Sequence, residues 1–430
     1  MSFRDDLAQA ADWATSYLDR VGDLSVAADV SPGQVRSALP PAPPERPEPF
    51  SEILRDLDAT IVPGLTHWNH PRFFAWFANT GSEPGILAEL LTAALNVNCM
   101  TWLASPAATE LELTVLEWLA QLLGLPPGLH GHIEDTASTS TVAALAAARQ
   151  LRPGGVVYAS EHANFSVEKA ARLVGLEYRA VEVDDLYRMR AELPLDDATA
   201  VVATVGTTAT TSVDPVRELA ARCRDAGAWL HVDAAYAGSA AVAPELRWCL
   251  DGCELADSIV VNPHKWLFTP MDCSTLWTRR PDALHAAFAL VPDYLAATAD
   301  SIDLKDYGPA LGRRFRALKL WIVLRMYGAD GLRALIREHV RLAQLFASLV
   351  GSDPDWEVVA PHPFSTVCFR HRTADNDDLA RRATATGEIF VATTRLRGVP
   401  TIRLAIGNAR TTEADVRRAW EVLRGCASGA

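Results

Sequence analysis

Two short apolar runs, each followed by polar residues, constrain this chain more than any other feature. Residues 228–232 lead into Asp233 within HVDAAYAGSA, and residues 258–261 lead into NPHKW, which contains Lys265. Apolar runs of this length, bounded by turn residues, predict buried strands. Because open α/β sheets bind ligands at the carboxyl ends of their strands, we expect Asp233 and Lys265 to meet at such a site.

An acid and a lysine at one sheet edge suit pyridoxal phosphate. The lysine amine can form a Schiff base with the cofactor aldehyde, and the acid can keep the pyridine nitrogen protonated. A surface ion pair at two strand ends would explain the same two residues equally well. The surrounding sequence has to decide between a cofactor site and an ion pair.

Composition narrows the class of protein. A length of 430 residues predicts more than one domain, and a formal charge of -13 disfavours nucleic acid or an anionic membrane as a partner. Seven cysteines without framework spacing indicate reduced thiols, and no second pair completes a metal site with Cys249 and Cys253. MSFRDDLAQA lacks a secretory signal, and no apolar run is long enough to span a bilayer. We therefore expect a cytoplasmic protein that binds a small molecule and no metal.

Strand and helix patterns alternate from residue 155 onward, as in VVYAS, NFSVEKAARLVG and LEYRAVEV. This alternation predicts an α/β fold with a mostly parallel central sheet flanked by helices. We predict an N-terminal helical segment with a Pro-rich linker (1–60), a large domain (61–310) and a small α+β C-terminal domain (311–430). A helix that must cross a stiff linker to find a core can pack on a neighbouring subunit, so we expect a homodimer.

Small hydroxyl residues begin a predicted helix in DTASTSTVAALAAAR (135–149) and follow a buried strand in GTTATT. Free N–H groups and hydroxyls at a helix start suit an anion such as the cofactor phosphate, although an ordinary N-cap has the same composition. Thr208 is available to the phosphate or to the acid.

Several blocks together resemble one family. They are HVDAAYAGSA, NPHKW followed by DCS, GTT, THWNHPRFFAWF, ASPAATELE and LGRRFRALKLW. In this order they resemble the group II pyridoxal-phosphate decarboxylases, especially the aromatic-L-amino-acid decarboxylases, over residues 50–424. The resemblance implies a fold type I pyridoxal-phosphate enzyme, a domain-swapped homodimer with active sites at the subunit interface and an L-amino acid as substrate.

The resemblance also implies roles for single residues. Lys265 corresponds to the Schiff-base lysine and Asp233 to the partner of the pyridine nitrogen. The other cofactor contacts implied are Ala137 and Ser138 in the phosphate loop, Thr208, Ala235 under the ring, Asn262 and His264.

Two catalytic positions depart from the family pattern. Asn164 stands where the family has a histidine stacked on the cofactor, and Leu304 stands where a mobile loop carries a tyrosine thought to protonate the carbanion. Tyr307 lies three residues beyond Leu304 and could take its place if the loop were rearranged. Relatives with such replacements resemble aldehyde synthases.

The departures favour one of three outcomes. Loss of a positioned acid lets dioxygen intercept the carbanion, which predicts decarboxylation with oxidative deamination to an aldehyde, ammonia and peroxide. A simple amine-forming decarboxylase, with Tyr307 supplying the proton, is the first alternative, and β-elimination of a cysteine conjugate is the second. A non-catalytic binding scaffold would be the rival from another class.

The substrate pocket is expected to include Trp68, Asn79 and Met100. Met100 replaces an aromatic residue of the aromatic-specific members, and Asn79 replaces a threonine. Methionine fills irregular spaces. Within the expected class of aromatic or bulky L-amino acids, these changes predict a bulkier or more polar substrate than tyrosine or tryptophan, of the kind used in specialised metabolism.

Overall fold

The computed structural model describes residues 2–77, 79, 81–290 and 301–428, and the chain forms two units. The first unit joins residues 1–78, 345–358 and 369–430, and the second joins residues 79–344 and 359–368. The domain boundaries predicted from the sequence, after residues 60 and 310, stay a prediction.

A seven-stranded sheet is the centre of the second unit. Its strands are β1 (His130–Glu134), β2 (Val156–Ser160), β3 (Glu177–Val181), β4 (Ala198–Thr204), β5 (Trp229–Asp233), β6 (Ser258–Val261) and β7 (Ser274–Thr278). Their order is β1-β7-β6-β5-β4-β2-β3. Strands β2 to β6 pair in parallel, whereas β7 runs antiparallel to both β6 and β1. The predicted mostly parallel sheet is confirmed.

Helices cover this sheet. They are α4 (Glu83–Leu95), α5 (Pro106–Leu123), α6 (Ala137–Leu151), α7 (Ser166–Leu173), α8 (Val216–Ala226), α9 (Pro263–Trp266), α10 (Pro281–Phe288) and α11 (Arg316–Gly351), whose last residues belong to the first unit. The alanines of α6 share one apolar core with Val157 of β2 and Val202 of β4. Every residue of β4 is buried, as expected for a strand covered on both faces.

The region labelled α11 contains two helices, as the sequence pattern predicts over residues 311–328 and 332–351. They follow one another across a kink at Gly328. At this residue the backbone leaves the helical region, with φ 62° and ψ 174°. Glycine tolerates a positive φ without steric cost, so the chain can change direction here between the two helices.

The first unit contains a small antiparallel sheet. Its helices are α1 (Phe3–Arg20), α2 (Gln34–Ala38), α3 (Phe50–Asp56), α12 (Asn376–Ala385) and α13 (Glu413–Ser428). The strands β8 (Trp356–Val358), β9 (Thr366–His371), β10 (Ala392–Leu396) and β11 (Val399–Ala405) lie in the order β10-β11-β9-β8. Among the helices described in either unit, none combines the length and apolar character that a bilayer crossing requires.

An ion pair closes the edge of the large sheet at β1. The backbone N–H of Ile133 donates to Oε1 of Glu112 at 3.0 Å, and Arg313 donates to the Ile133 carbonyl at 2.7 Å. Arg313 also donates to Glu112 at 2.8 Å, and both side chains are buried. The pair therefore satisfies edge groups that would otherwise be open to another strand. It also joins the sequence blocks ASPAATELE and LGRRF.

Candidate active site

The carboxyl ends of β5 and β6 deliver the acid and the lysine. Asp233 is the last residue of β5, pairs in register with Val260 of β6 and is 5% exposed. Lys265 follows β6 in the short helix α9, where its N–H donates to the carbonyl of Asn262 at 2.9 Å. Burial lowers the pKa of Lys265, and the negative charge of Asp233 opposes that shift. The two side chains are thus near enough to interact electrostatically, as the sequence predicts.

Small residues after Asp233 allow the two strand ends to approach. A Cβ added to Gly238 would lie 2.7 Å from a methyl group of Val261 and 2.9 Å from the Cβ of Ala234. Ala235, which the sequence assigns to the space under the cofactor ring, is buried and donates its N–H to Oδ1 of Asp233 at 3.0 Å. The motif HVDAAYAGSA therefore meets a packing requirement around the acid.

A chain of three polar side chains supports the loop before Lys265. Ser274 donates its hydroxyl to Oδ1 of Asn262 at 2.7 Å, and its oxygen lies 2.8 Å from that of Ser140 on α6. Ser274 and Ser140 have no role in the sequence-based predictions, although Ser274 ends the DCS of the family pattern. The chain connects strand β7, helix α6 and the lysine loop.

His264 lies beside Lys265 as a neutral ring. The backbone N–H of Cys273 donates to Nδ1 at 2.9 Å, and Nε2 lies 3.2 Å from Nδ2 of Asn262. Burial, with the charge of Lys265, lowers the pKa of His264 to about 3. The ring thus adds no positive charge next to the lysine at neutral pH.

The start of α6 offers free donors at the same edge of the sheet. Ala137 and Ser138 are its first two residues, and Thr136 is an N-cap whose side chain makes no capping bond. The first N–H groups of a helix lack partners within it, and the helix dipole favours an anion there. Ala137 and Ser138 therefore lie where a phosphate would find N–H donors, and their role in binding it stays a prediction.

Asn164 contacts another predicted cofactor residue. Its Nδ2 donates to Oγ1 of Thr208 at 3.2 Å, while its Oδ1 accepts the N–H of Ser166 at 3.0 Å. His162, two residues earlier, stacks on Tyr187 with 5.6 Å between ring centroids. The two side chains thus have different surroundings, and the assignment of Asn164, not His162, to the histidine position of the family stays a prediction.

Hydrogen bonds join the segments of Met100 and Leu304. The N–H of Lys305 donates to the carbonyl of Met100 at 2.9 Å, and Leu304 is fully buried. Tyr307 ends the same 3-10 turn, and its ring lies 4.3 Å from that of His130, centroid to centroid. Leu304 and Tyr307 therefore have different neighbours, although both belong to one short turn.

The two other predicted pocket residues have the following contacts. Asn79 points its Nδ2 at the sulfur of Met271, 3.6 Å away. Trp68 belongs to the first unit, where its ring stacks on Phe73 at 4.6 Å and on Trp76 at 5.4 Å between centroids. Their role in a substrate pocket stays a prediction.

The residues of the second unit fit pyridoxal phosphate. A buried carboxylate and a lysine with a lowered pKa lie at adjacent strand ends, and a helix start with free N–H groups follows β1 of the same sheet. The small side chain of Ala235 lies beside the carboxylate. These groups match the nitrogen, aldehyde, phosphate and ring of the cofactor.

Comparisons with known proteins agree with this fit. The family description "Pyridoxal-dependent decarboxylase conserved domain" matches residues 32–372. The aromatic-L-amino-acid decarboxylase of Sus scrofa is 39% identical over 99% of this chain and 96% of its own length. The phenylacetaldehyde synthase of Arabidopsis thaliana is 38% identical over 96% of this chain and 93% of its own. The crystal structure of Oryza sativa TDC with PLP and tryptamine superposes with a TM-score of 0.96 at 37% identity, covering 99% of this chain and 97% of that one.

Proposed function

This chain belongs to the pyridoxal-dependent decarboxylase family, and we propose that it converts an aromatic L-amino acid into the aldehyde one carbon shorter. The amino acid, dioxygen and water would give the aldehyde, CO2, ammonia and hydrogen peroxide, in equal amounts. One observation carries the proposal: Asn164 and Leu304 stand where the family has a stacking histidine and a proton-donating tyrosine.

The cofactor residues hold the reacting groups in place. When bound, pyridoxal phosphate supplies the electron sink that makes loss of CO2 feasible. Lys265 would bind it covalently, and Asp233 would keep the ring nitrogen protonated from its buried position on β5. The N–H groups of Ala137 and Ser138 would bind the phosphate, with Thr208, Asn262 and His264 fixing the loops around it.

Proton delivery decides between amine and aldehyde. The carbon that has lost CO2 must accept a proton to yield an amine, and a positioned general acid speeds such a step by about 10²–10⁴-fold. Neither the amide of Asn164 nor the hydrocarbon side chain of Leu304 is an acid. Dioxygen can then take two electrons from the substrate and become peroxide, and water hydrolyses the resulting imine to the aldehyde and ammonia.

A simple amine-forming decarboxylase is the second candidate, and Tyr307 is the observation that favours it. Its phenol lies in the same 3-10 turn as Leu304. Burial first, and then the charges of Asp306 and Asp282, raise the pKa of Tyr307, so the phenol keeps its proton at neutral pH. If the turn moved, this phenol would be a general acid.

Exposed apolar surface supports the proposed homodimer. Helix α1 buries none of its residues. In the second unit, α4 exposes Ile86, Leu87, Leu90, Leu91 and Leu95, which is more apolar side chain than one helix of a monomer usually leaves in water. Light scattering of the purified protein should give twice the chain mass, and Leu87→Lys with Leu91→Lys should lower it toward one chain.

The product assay separates the candidates. The enzyme is incubated with a panel of aromatic L-amino acids, in air and under nitrogen, and CO2, amine, aldehyde, ammonia and peroxide are measured. Peroxide and aldehyde in equal amounts, lost under nitrogen, are expected. Amine equal to CO2 with no peroxide would refute the oxidative reaction, and ammonia without CO2 would indicate elimination. Lys265→Ala should abolish all products.

A further inference from the structure

Three charged side chains are buried around Leu304. Asp303, Lys305 and Asp306 are 5%, 7% and 6% exposed. Charged residues are almost never fully buried unless they are paired. The proposed reaction gives none of the three a role, so their burial has another cause.

One ammonium group lies between the two acids. Lys305 donates from Nζ to Oδ1 of Asp306 at 2.6 Å, and the same nitrogen lies 4.0 Å from Oδ2 of Asp303. The N–H of Trp102 donates to Oδ1 of Asp303 at 2.9 Å. Both carboxylates therefore have a partner, and removing the ammonium would leave two uncompensated negative charges out of water.

The same residues join the turn to the segment of Met100. Asp303 accepts the N–H of Trp102, and the N–H of Lys305 donates to the carbonyl of Met100 at 2.9 Å. The two contacts are two residues apart on each segment, so they fix the direction of the turn as well as its place. We call these two contacts, together with the ion pairs of Lys305, the tether.

The position of Tyr307 depends on the tether. Its ring ends the turn and lies 4.3 Å from that of His130 on β1 and 5.6 Å from that of His285 on α10, centroid to centroid. The N–H of Asp306 donates to the carbonyl of Asp303 at 3.0 Å, so the residue before Tyr307 is bound to the tethered part of the turn. A shift of the turn would separate Tyr307 from both rings, and the tether opposes that shift.

We propose that Asp303 and Lys305 are positioning residues that keep Tyr307 from donating a proton, and that they thereby favour the aldehyde over the amine. This inference rests on the proposed function. A phenol that reached the reacting carbon would give it one proton and regain one from solvent, so that the amino acid would yield one amine and one CO2. The tether instead holds the turn where the ring of Tyr307 contacts His130.

Hydrogen exchange of the full-length holoenzyme at neutral pH tests the tether. In Lys305→Met the side chain loses its charge, and the carboxylates of Asp303 and Asp306 gain hydration if the turn moves away. Peptides covering residues 301–310 and 99–105 should therefore exchange at least about tenfold faster than in wild type. Peptides covering β4 should exchange as in wild type. Unchanged exchange at residues 301–310 would overturn the proposal.

Further variants separate charge from packing. Lys305→Arg keeps the cation and should keep the wild-type protection. Lys305→Met with Asp303→Asn and Asp306→Asn leaves no buried charge in the turn and should regain part of the protection, which guards against a folding defect in Lys305→Met. If this triple variant exchanged as fast as Lys305→Met, the buried charges would not be what holds the turn. Lys169→Met, at an exposed position on α7, should behave like wild type.

Product analysis in air tests the restraint on Tyr307. Release of the turn should raise the ratio of amine to peroxide in Lys305→Met by about tenfold or more, since a positioned acid accelerates protonation by about 10²–10⁴-fold. Lys305→Met with Tyr307→Phe should exchange as fast as Lys305→Met but return to the wild-type ratio. A merely structural defect would not depend on the phenol in this way. An equal ratio in these two variants would refute the claim that the tether restrains Tyr307.

The two measurements can fail separately, because exchange does not depend on turnover. Amine without peroxide in wild type would refute the proposed function, and with it the effect of the tether on the product, whatever the exchange shows. If wild type forms peroxide and Lys305→Met exchanges faster with an unchanged product ratio, the proposed function stands and the role of the tether in product choice is overturned.

Discussion

Asn164 donates its side-chain amide to the hydroxyl of Thr208 at 3.2 Å, joining the loop after β2 to the loop after β4. An amide in this position can hold a neighbouring hydroxyl, but it can neither become an imidazolium nor pass on a proton at neutral pH. The proposed aldehyde product therefore depends on the absence of a proton donor at Asn164 and at Leu304.

Restoring both side chains should redirect the product. We expect Asn164→His with Leu304→Tyr to raise the ratio of amine to peroxide by about tenfold or more, since a positioned acid accelerates protonation by about 10²–10⁴-fold. Product analysis in air measures the ratio. Asn164→His with Leu304→Phe is the matched control, because phenylalanine fills the same space without the hydroxyl. An equal shift in both double variants would mean that packing, not proton donation, determines the product.

The hydroxyl of Ser274 should contribute to cofactor affinity. It bridges Ser140 and Asn262, so Ser274→Ala leaves the buried Asn262 amide without one partner. A buried hydrogen bond contributes about 0.5–1.5 kcal/mol, which corresponds to a loss of about 2- to 10-fold in affinity. Absorbance titration of the apoenzyme with pyridoxal phosphate measures it. Ser140→Ala should cost less, because Ser274 keeps its bond to Asn262. Unchanged cofactor affinity in Ser274→Ala would mean that this hydroxyl does not contribute to cofactor binding.

Buried His231 should make the fold sensitive to acid. Burial lowers its pKa to about 4, against the opposing charge of Asp233. A histidine with a depressed pKa stabilises the fold above the unfolded value of about 6.5, and this contribution is lost as the pH falls toward the folded value. Between pH 6 and pH 5 the loss should be about 1 kcal/mol. In urea unfolding, His231→Leu should lose less stability between pH 6 and pH 5 than wild type loses. His362→Leu, at a partly exposed site, should lose as much stability as wild type. Equal pH dependence in all three proteins would contradict this role.

The sequence predicts the Asp233–Lys265 pair because the signal is local. Each residue follows its own apolar run, and parallel strands present their carboxyl ends at one edge, so no knowledge of the pairing order is needed. The family pattern adds the phosphate site at Ala137 and the replacement at Asn164. These residues lie in short segments whose spacing survives in the sequence.

Strand β1 and the role of Ser274 are not predicted, for a physical reason. Both depend on β7, which runs antiparallel between β1 and β6 and pairs with β1, whose residues lie more than a hundred positions away in the sequence. No local pattern encodes such a pairing. The polar residues of HGHIE also look like a solvent-exposed segment, whereas the structure buries His132 and Glu134 beneath a turn.

The buried pair of Arg313 and Glu112 should stabilise the edge of the large sheet. Arg313 holds both Glu112 and the carbonyl of Ile133, and all three groups are buried. Arg313→Met would leave the Glu112 carboxylate without its cation, and breaking a buried ion pair from one side costs about 3–5 kcal/mol. We expect a lower urea midpoint, together with faster hydrogen exchange in peptides covering residues 130–134. Arg313→Met with Glu112→Gln removes the uncompensated charge while the new amide oxygen can still accept the Ile133 N–H, so this double variant should recover part of the loss. If it were as unstable as Arg313→Met alone, the carbonyl contact of Arg313 and not its charge would be what stabilises the edge.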